Sequence, residues 1–168
     1  MAHDVLTELR VGLCEKTPPA CNRARWMRRE SRLADNGAMN IEHVALQVPD
    51  SVAMADWYVN HLGCSIKRST GEPAFIRFLM DGSGDAMMEL YRNPKVAVPD
   101  YSAMDPLLVH IAFVSADPQR DRDRLVAAGA SVVDDYTKTP AGDELVMLRD
   151  PWGIALQLVK RASPMLSR

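Results

Sequence analysis

The chain of 168 residues lacks several features that would assign it to common protein classes. It has no apolar run near the roughly 20 residues that a membrane-spanning helix needs, and no continuous apolar stretch like that of a secretory signal begins it. Excess positive charge is absent too, because 22 Asp and Glu outnumber 20 Lys and Arg, so no broad field attracts nucleic acid. We expect a cytoplasmic protein without membrane or nucleic-acid partners that binds a small molecule.

Cysteine is also scarce, and its spacing fits no framework. Cys14, Cys21 and Cys64 are odd in number and match neither a zinc knuckle nor a disulfide pattern, which indicates a reducing compartment. Hydrophobic residues make up 47% of the chain and charged residues 25%, as in an ordinary globular domain with a real core.

The two ends of the chain differ from its middle. Residues 1–38 carry seven Lys or Arg against five Asp or Glu, and Pro18 and Pro19 break their weak apolar periodicity. We therefore predict a mobile N-terminal extension over residues 1–38, a folded domain over residues 39–162 and a short tail over residues 163–168.

An internal repeat organises the folded part. The apolar run around His43, from Ile41 to Val48, aligns with the run around His110, from Leu108 to Ser115, at an offset of 67 residues. A polar residue inside a second apolar run repeats as well, since Glu89 aligns with Gln157 at an offset of 68 residues. Landmarks that recur in the same order indicate two copies of one structural unit.

Each copy is predicted to run strand, helix, strand, strand, strand. Both helices end near a glycine, Gly63 or Gly129, as a helix C-terminus often does. Module one then spans residues 39–93, the proline-containing linker residues 94–106 and module two residues 107–162. We expect strands near residues 40–48, 64–69, 74–80, 86–92, 107–115, 130–135, 143–149 and 153–160, with helices over residues 54–62 and 119–128.

The polar residues within the strands suggest a metal site. A glutamate between Met88 and Leu90 in an apolar strand is costly to bury unless it is paired or binds a metal ion. Two imidazoles, one carboxylate and one amide oxygen suit a divalent ion such as Zn²⁺, Ni²⁺, Fe²⁺, Co²⁺ or Mn²⁺. We therefore predict a divalent-metal cofactor with the ligands His43, Glu89, His110 and Gln157.

Residues 40–160 resemble the vicinal-oxygen-chelate superfamily, of the glyoxalase, bleomycin resistance protein and dioxygenase type. The helix segment Asp56 to Gly63 looks like the family's aromatic helix, and Asp150-Pro151-Trp152-Gly153 looks like its turn before the last strand. The resemblance implies an α+β fold of two tandem βαβββ modules that form a cupped, mixed sheet around a central site. It also implies metal ligands at the four positions above, and a homodimer.

The resemblance to glyoxalase I is incomplete. Asn93 lies four residues after Glu89, as in the glyoxalase pattern, but the last ligand is Gln157 where that pattern has a second glutamate. Gln47 stands where glyoxalase I has an arginine that holds glutathione, so the resemblance does not extend to that co-substrate. Methylmalonyl-CoA epimerase resembles this chain with the last ligands of the two modules exchanged.

We predict a metal-dependent, glyoxalase-like lyase or isomerase that acts on a small oxygen-chelating metabolite by proton transfer next to a carbonyl. Glu89 is the candidate acid/base residue because it is the one carboxylate in the ligand set. Tyr91, Arg77 and Asn93 are weaker candidates for substrate contact. A non-catalytic module that binds a small molecule is the alternative, and an extradiol-type dioxygenase with a facial triad is a third possibility.

Overall fold

The computed structural model describes residues 39–165, and these fold into two sequential βαβββ modules. The predictions for residues 1–38 and for the end of the tail lie outside the described residues. Module one contains strand β1 (Val44–Gln47), helix α1 (Ser51–Leu62), and strands β2 (Ser65–Ser69), β3 (Arg77–Met80) and β4 (Met87–Tyr91). Module two contains β5 (Ile111–Val114), α2 (Pro118–Ala127), β6 (Ser131–Lys138), β7 (Glu144–Arg149) and β8 (Ala155–Lys160).

Each module forms its own four-stranded mixed sheet. The orders are β1-β4-β3-β2 and β5-β8-β7-β6, with parallel pairing of β1 to β4 and of β5 to β8. The predicted α+β class and tandem modules are confirmed, and the hydrogen bonding divides the predicted single sheet into two equivalent sheets. In both, the first and last strands of a module lie side by side, which places Ala45 beside Glu89 and Ala112 beside Gln157.

The helices begin and end where local chemistry dictates. Asp50 caps α1 by accepting hydrogen bonds from the backbone N–H groups of Val52 and Ala53, and Asp117 caps α2 by accepting one from the backbone N–H of Arg120. Gly63 ends α1 in the left-handed conformation, at a φ of 70°, which an L side chain rarely adopts. Within residues 39–165 no helix is long and apolar enough to cross a membrane.

One face of each sheet packs on the helices and forms a shared core. Successive side chains of a strand point to opposite faces of its sheet. On the helix face lie Leu79, Leu90, Leu148 and Leu156, all completely buried. The opposite face, which we call the open face, carries the other half of each strand. In module one it presents Ala45, Gln47, Phe78, Met80, Met87, Glu89 and Tyr91; in module two it presents Ala112, Val114, Leu145, Met147, Gln157 and Val159.

Helix α1 also links the two modules through polar bonds. The Trp57 indole N–H donates to the carbonyl of Ala128 at 2.8 Å, and the Tyr58 hydroxyl donates to Asp150 Oδ2 at 2.9 Å. Asp150 Oδ1 accepts hydrogen bonds from the backbone N–H groups of Trp152 and Ile154. The same carboxylate therefore holds the turn before β8 and binds Tyr58 of α1. The helix side of module one is therefore joined to module two, and both open faces are left on the other side of their sheets.

Candidate metal centre

Strand pairing brings His43 and Glu89 together on the open face of module one. The Nε2 atom of His43 lies 3.2 Å from Glu89 Oε2, with 29% and 17% of the two side chains exposed. His43 precedes β1 by one residue and Glu89 is at the centre of β4, which is the strand that pairs with β1. The Phe78 ring meets the imidazole edge-on at a centroid distance of 5.3 Å and covers one side of the pair.

Each ring nitrogen of His43 faces a carboxylate oxygen. Nδ1 contacts Glu42 Oε2, and Nε2 faces Glu89 Oε2. Because a carboxylate oxygen only accepts, the contact at Nε2 holds either a proton on Nε2 or a metal ion between the two atoms.

The geometry fits a shared metal ion. Ligand atoms about 2.1 Å from one ion lie about 3.0 to 3.4 Å apart in octahedral or tetrahedral arrangements, and the separation of Nε2 from Oε2 falls in this range. A ligating histidine also typically donates its other N–H to an oxygen acceptor, as His43 does to Glu42. The donor set of this half-site therefore suits a divalent cation.

Module two repeats the arrangement with His110 and Gln157. His110 Nδ1 lies 3.0 Å from the Pro106 carbonyl, which can only accept, so Nδ1–H donates to it and Nε2 is the ring atom left for a ligand. Gln157 is half-buried, and among residues 39–165 its amide has no hydrogen-bond partner. Both groups are free to bind a ligand.

The two half-sites do not combine within one chain. Among the described residues, no three His, Cys, Asp or Glu side chains cluster closely enough to hold a metal ion. The sequence predicts one centre in which a single chain supplies all four ligands. The structure differs, because it brings His43 and Glu89 together without His110. Glu42 and Phe78, the neighbours of His43, were not among the predicted site residues.

The other candidate residues have distinct surroundings. Tyr91 follows Glu89 on the open face, in register with Gln47. Arg77 is in register with Leu90 on the helix face, and its guanidinium donates to the carbonyls of Thr70 and Ile76, so its hydrogen bonds serve the β2–β3 connection. This placement differs from the expectation that Arg77 contacts substrate.

Asn93 and Gln47 are joined in one hydrogen-bonded clamp. Gln47 is buried, and its amide accepts from the Asn93 backbone N–H at 2.9 Å and donates to the carbonyls of Asn93 and Val96. Asn93 Oδ1 accepts from the backbone N–H of Lys95. The position at which glyoxalase I has a glutathione-binding arginine is therefore engaged in holding the linker.

Solved structures with the same fold are numerous. A protein named SMU.1112c is 26% identical with a TM-score of 0.59, and the match covers 73% of this chain and 98% of that one. A glyoxalase family protein from Bacillus cereus is 17% identical with a TM-score of 0.64, over 75% of this chain and 96% of the other. TnmS3, an antibiotic binding protein from Streptomyces sp. CB03234, is 21% identical with a TM-score of 0.55, over 74% and 100%.

No curated protein matches the chain. The sequence profile of one superfamily, however, matches residues 40–158, which cover nearly all of both modules and all four candidate ligands. The chain therefore belongs to the Glyoxalase/Bleomycin resistance protein/Dioxygenase superfamily.

Proposed function

We propose that this protein is a metal-dependent, glyoxalase-like lyase or isomerase. Its metal ion would be held by His43 and Glu89 of one copy together with His110 and Gln157 of a second copy. The facing pair of His43 Nε2 and Glu89 Oε2 at 3.2 Å carries the proposal, because it needs a cation and has the spacing of two ligands of one ion.

Two unpaired strand edges support a composite site. Strands β1 and β5 end their sheets, and each has one edge without a strand partner among residues 39–165. Val44 and Val114 on these strands are 60% and 62% exposed, and exposed apolar edges favour pairing with another chain. Placing β1 beside β5 of a second copy creates two identical contacts related by a twofold axis, and each contact joins one half-site of each kind.

Glu89 is the proposed acid/base residue. A bound divalent ion polarises substrate oxygens and stabilises negative charge that develops on them. Glu89 accepts the proton from the hydroxyl-bearing carbon next to the carbonyl and returns it to the carbonyl carbon, while the hydroxyl proton passes to the former carbonyl oxygen, so that the two groups exchange places and no redox partner is needed. On the open face Phe78 is in register with Glu89, and Met87 precedes it by two residues, so the neighbouring positions are apolar, which strengthens the interaction of the carboxylate with the reacting atoms.

Glu89→Gln separates metal binding from proton transfer, because glutamine keeps an oxygen ligand and loses the base. Metal-loaded protein in D₂O is incubated with methylglyoxal plus glutathione, and with hydroxyacetone and 2-oxo acids without it, while proton NMR follows deuterium entry next to the carbonyl. We expect exchange by the unaltered protein with at least one carbonyl compound, about 10²-fold or more slower with the variant, at equal metal content. Equal exchange rates would overturn the role of Glu89.

Non-catalytic binding of a small molecule is the second candidate. Its support is the apolar composition of the open face of module one, where the half-buried Phe78 and Met87 lie, since methionine adapts to varied apolar ligands. A fold neighbour bears the description of an antibiotic binding protein. Binding of an apolar drug by metal-free protein, without proton exchange on any carbonyl compound, would favour this candidate. Oxygen uptake with catechols under Fe²⁺ would favour a dioxygenase.

A further inference from the structure

We infer that Arg68 binds an anionic group of the ligand, which makes it a specificity-determining residue of the proposed site. The inference rests on the proposed function, and it identifies the substrate class as a metabolite that has a carboxylate in addition to its metal-chelating oxygens.

A β-bulge turns Arg68 toward the open face. Register shifts between Ile66 and Arg68, so Ile66 pairs with Leu79 of the helix face, whereas Arg68 pairs with Phe78 of the open face. Strict alternation would put both side chains on the same face. Bulges commonly re-aim a side chain next to an active site, and they are kept as built features of a fold.

The same bulge occurs at the equivalent place in module two. There the register shifts between Val132 and Asp134, so Val132 pairs with Leu148 and Asp134 pairs with Met147. Both modules therefore place a charged residue at the outer end of the row that contains a candidate ligand. The rows are Ala45, Glu89, Phe78, Arg68 in module one and Ala112, Gln157, Met147, Asp134 in module two.

Arg68 is available to a ligand. It is exposed, and among residues 39–165 its guanidinium has no hydrogen-bond or ion-pair partner, in contrast to Arg77 and Arg149, which donate to backbone carbonyls. Its strand is two strands from that of Glu89, about 10 Å away across the sheet. A small molecule chelated at Glu89 therefore extends along the row, past Phe78, toward a guanidinium that pairs with a carboxylate in bidentate fashion.

Two probes of equal chain length test the inference. The probes 2-oxopentanedioate and 2-oxopentanoate share the chelating oxo acid and differ in the distal carboxylate, and each is titrated calorimetrically into Co²⁺-loaded protein. We expect the dianion to bind about tenfold more tightly, and Arg68→Gln to abolish this preference while the affinity for 2-oxopentanoate and the Co²⁺ content stay unchanged.

Lys67→Gln is the matched control, because it removes a neighbouring exposed cation that occupies the bulge without a cross-strand partner. This variant keeps the preference. A preference that is absent from the unaltered protein, or that survives Arg68→Gln, overturns the role of Arg68 alone. If neither oxo acid binds in a Co²⁺-dependent manner, the proposed metal function itself fails.

Discussion

The Tyr58 hydroxyl donates a hydrogen bond to Asp150 Oδ2 at 2.9 Å, and this bond joins the helix of module one to the last turn of module two. Both groups are buried, and burial is the main cause that raises the pKa of each above its ordinary value. The Tyr58 hydroxyl therefore stays protonated and able to donate at neutral pH.

Tyr58→Phe removes the donor and leaves Asp150 with a buried, less satisfied carboxylate oxygen. We predict a loss of about 1 to 3 kcal/mol in the free energy of unfolding, measured by urea denaturation. Tyr136→Phe is the control, since Tyr136 is half-buried and its hydroxyl has no partner among the described residues. Equal losses for the two variants would show that the Tyr58 bond contributes nothing.

The titration of Asp150 predicts a pH dependence with a definite sign. Because burial raises its pKa in the folded state, the folded protein holds this proton more tightly than the unfolded chain. Its contribution to stability is therefore fully present below the ordinary pKa and is lost as pH rises through the raised value. Relative to Asp150→Asn, the unaltered protein should gain stability as the pH falls from 7 toward 4. A stability of the unaltered protein, relative to Asp150→Asn, that increases as the pH rises would contradict a pKa raised by burial.

Asp81 provides a control of opposite sign. Partial burial alone would raise its pKa, but hydrogen bonds from Ser83 and from the backbone N–H groups of the β3–β4 turn lower it. Its contribution is present above the ordinary pKa and is lost as pH falls through the lowered value. Relative to Asp81→Asn, the unaltered protein should therefore lose stability below about pH 4. Measured by urea denaturation at the same pH values, the stability difference from Asp150→Asn should grow as the pH falls, whereas the difference from Asp81→Asn should shrink.

Two glutamines on the open faces should respond differently to truncation. Gln47→Ala breaks the three hydrogen bonds that clamp Asn93 and Val96, so we predict a loss of about 2 kcal/mol in unfolding free energy. Gln157→Ala breaks none within residues 39–165 and should cost less than about 0.5 kcal/mol. Metal affinity should show the opposite pattern, with a larger loss in Gln157→Ala than in Gln47→Ala. A stability loss at Gln157 as large as that at Gln47 would argue against a free amide.

Much of this fold follows from the sequence, because the repeat fixes the element order and the alternation fixes the face of each strand. Two of the four predicted ligands, His43 and Glu89, lie 3.2 Å apart because alternation puts both on the open face, whereas His110 does not cluster with them within residues 39–165. Arg68 could not be found in this way, because alternation places it with Ile66 and only the bulge separates them. The hydrogen bonds from Gln47 to the linker could not be predicted either, because they join residues far apart in sequence and no local pattern indicates them.

Mixing two inactive variants tests whether the proposed site is shared between copies. His43→Ala and His110→Ala each damage every site of their own homodimer. After unfolding and refolding together, random dimers should regain about a quarter of the metal sites, because half are mixed and each mixed dimer has one intact site. If all four ligands instead came from one chain, mixing would restore nothing. Sedimentation of the unaltered protein should show a dimer.

Metal content of the purified protein tests the central claim most directly. After incubation with excess Zn²⁺, Ni²⁺ or Co²⁺ and extensive dialysis, elemental analysis should find about one ion per chain, since a twofold dimer has two composite sites. His61→Ala, which removes a histidine of α1 that packs against Trp57 at a tilted angle, should keep this content. The double variant His43→Ala, His110→Ala should lose it. Unaltered protein that carries no more metal than the double variant would contradict a metal-dependent function.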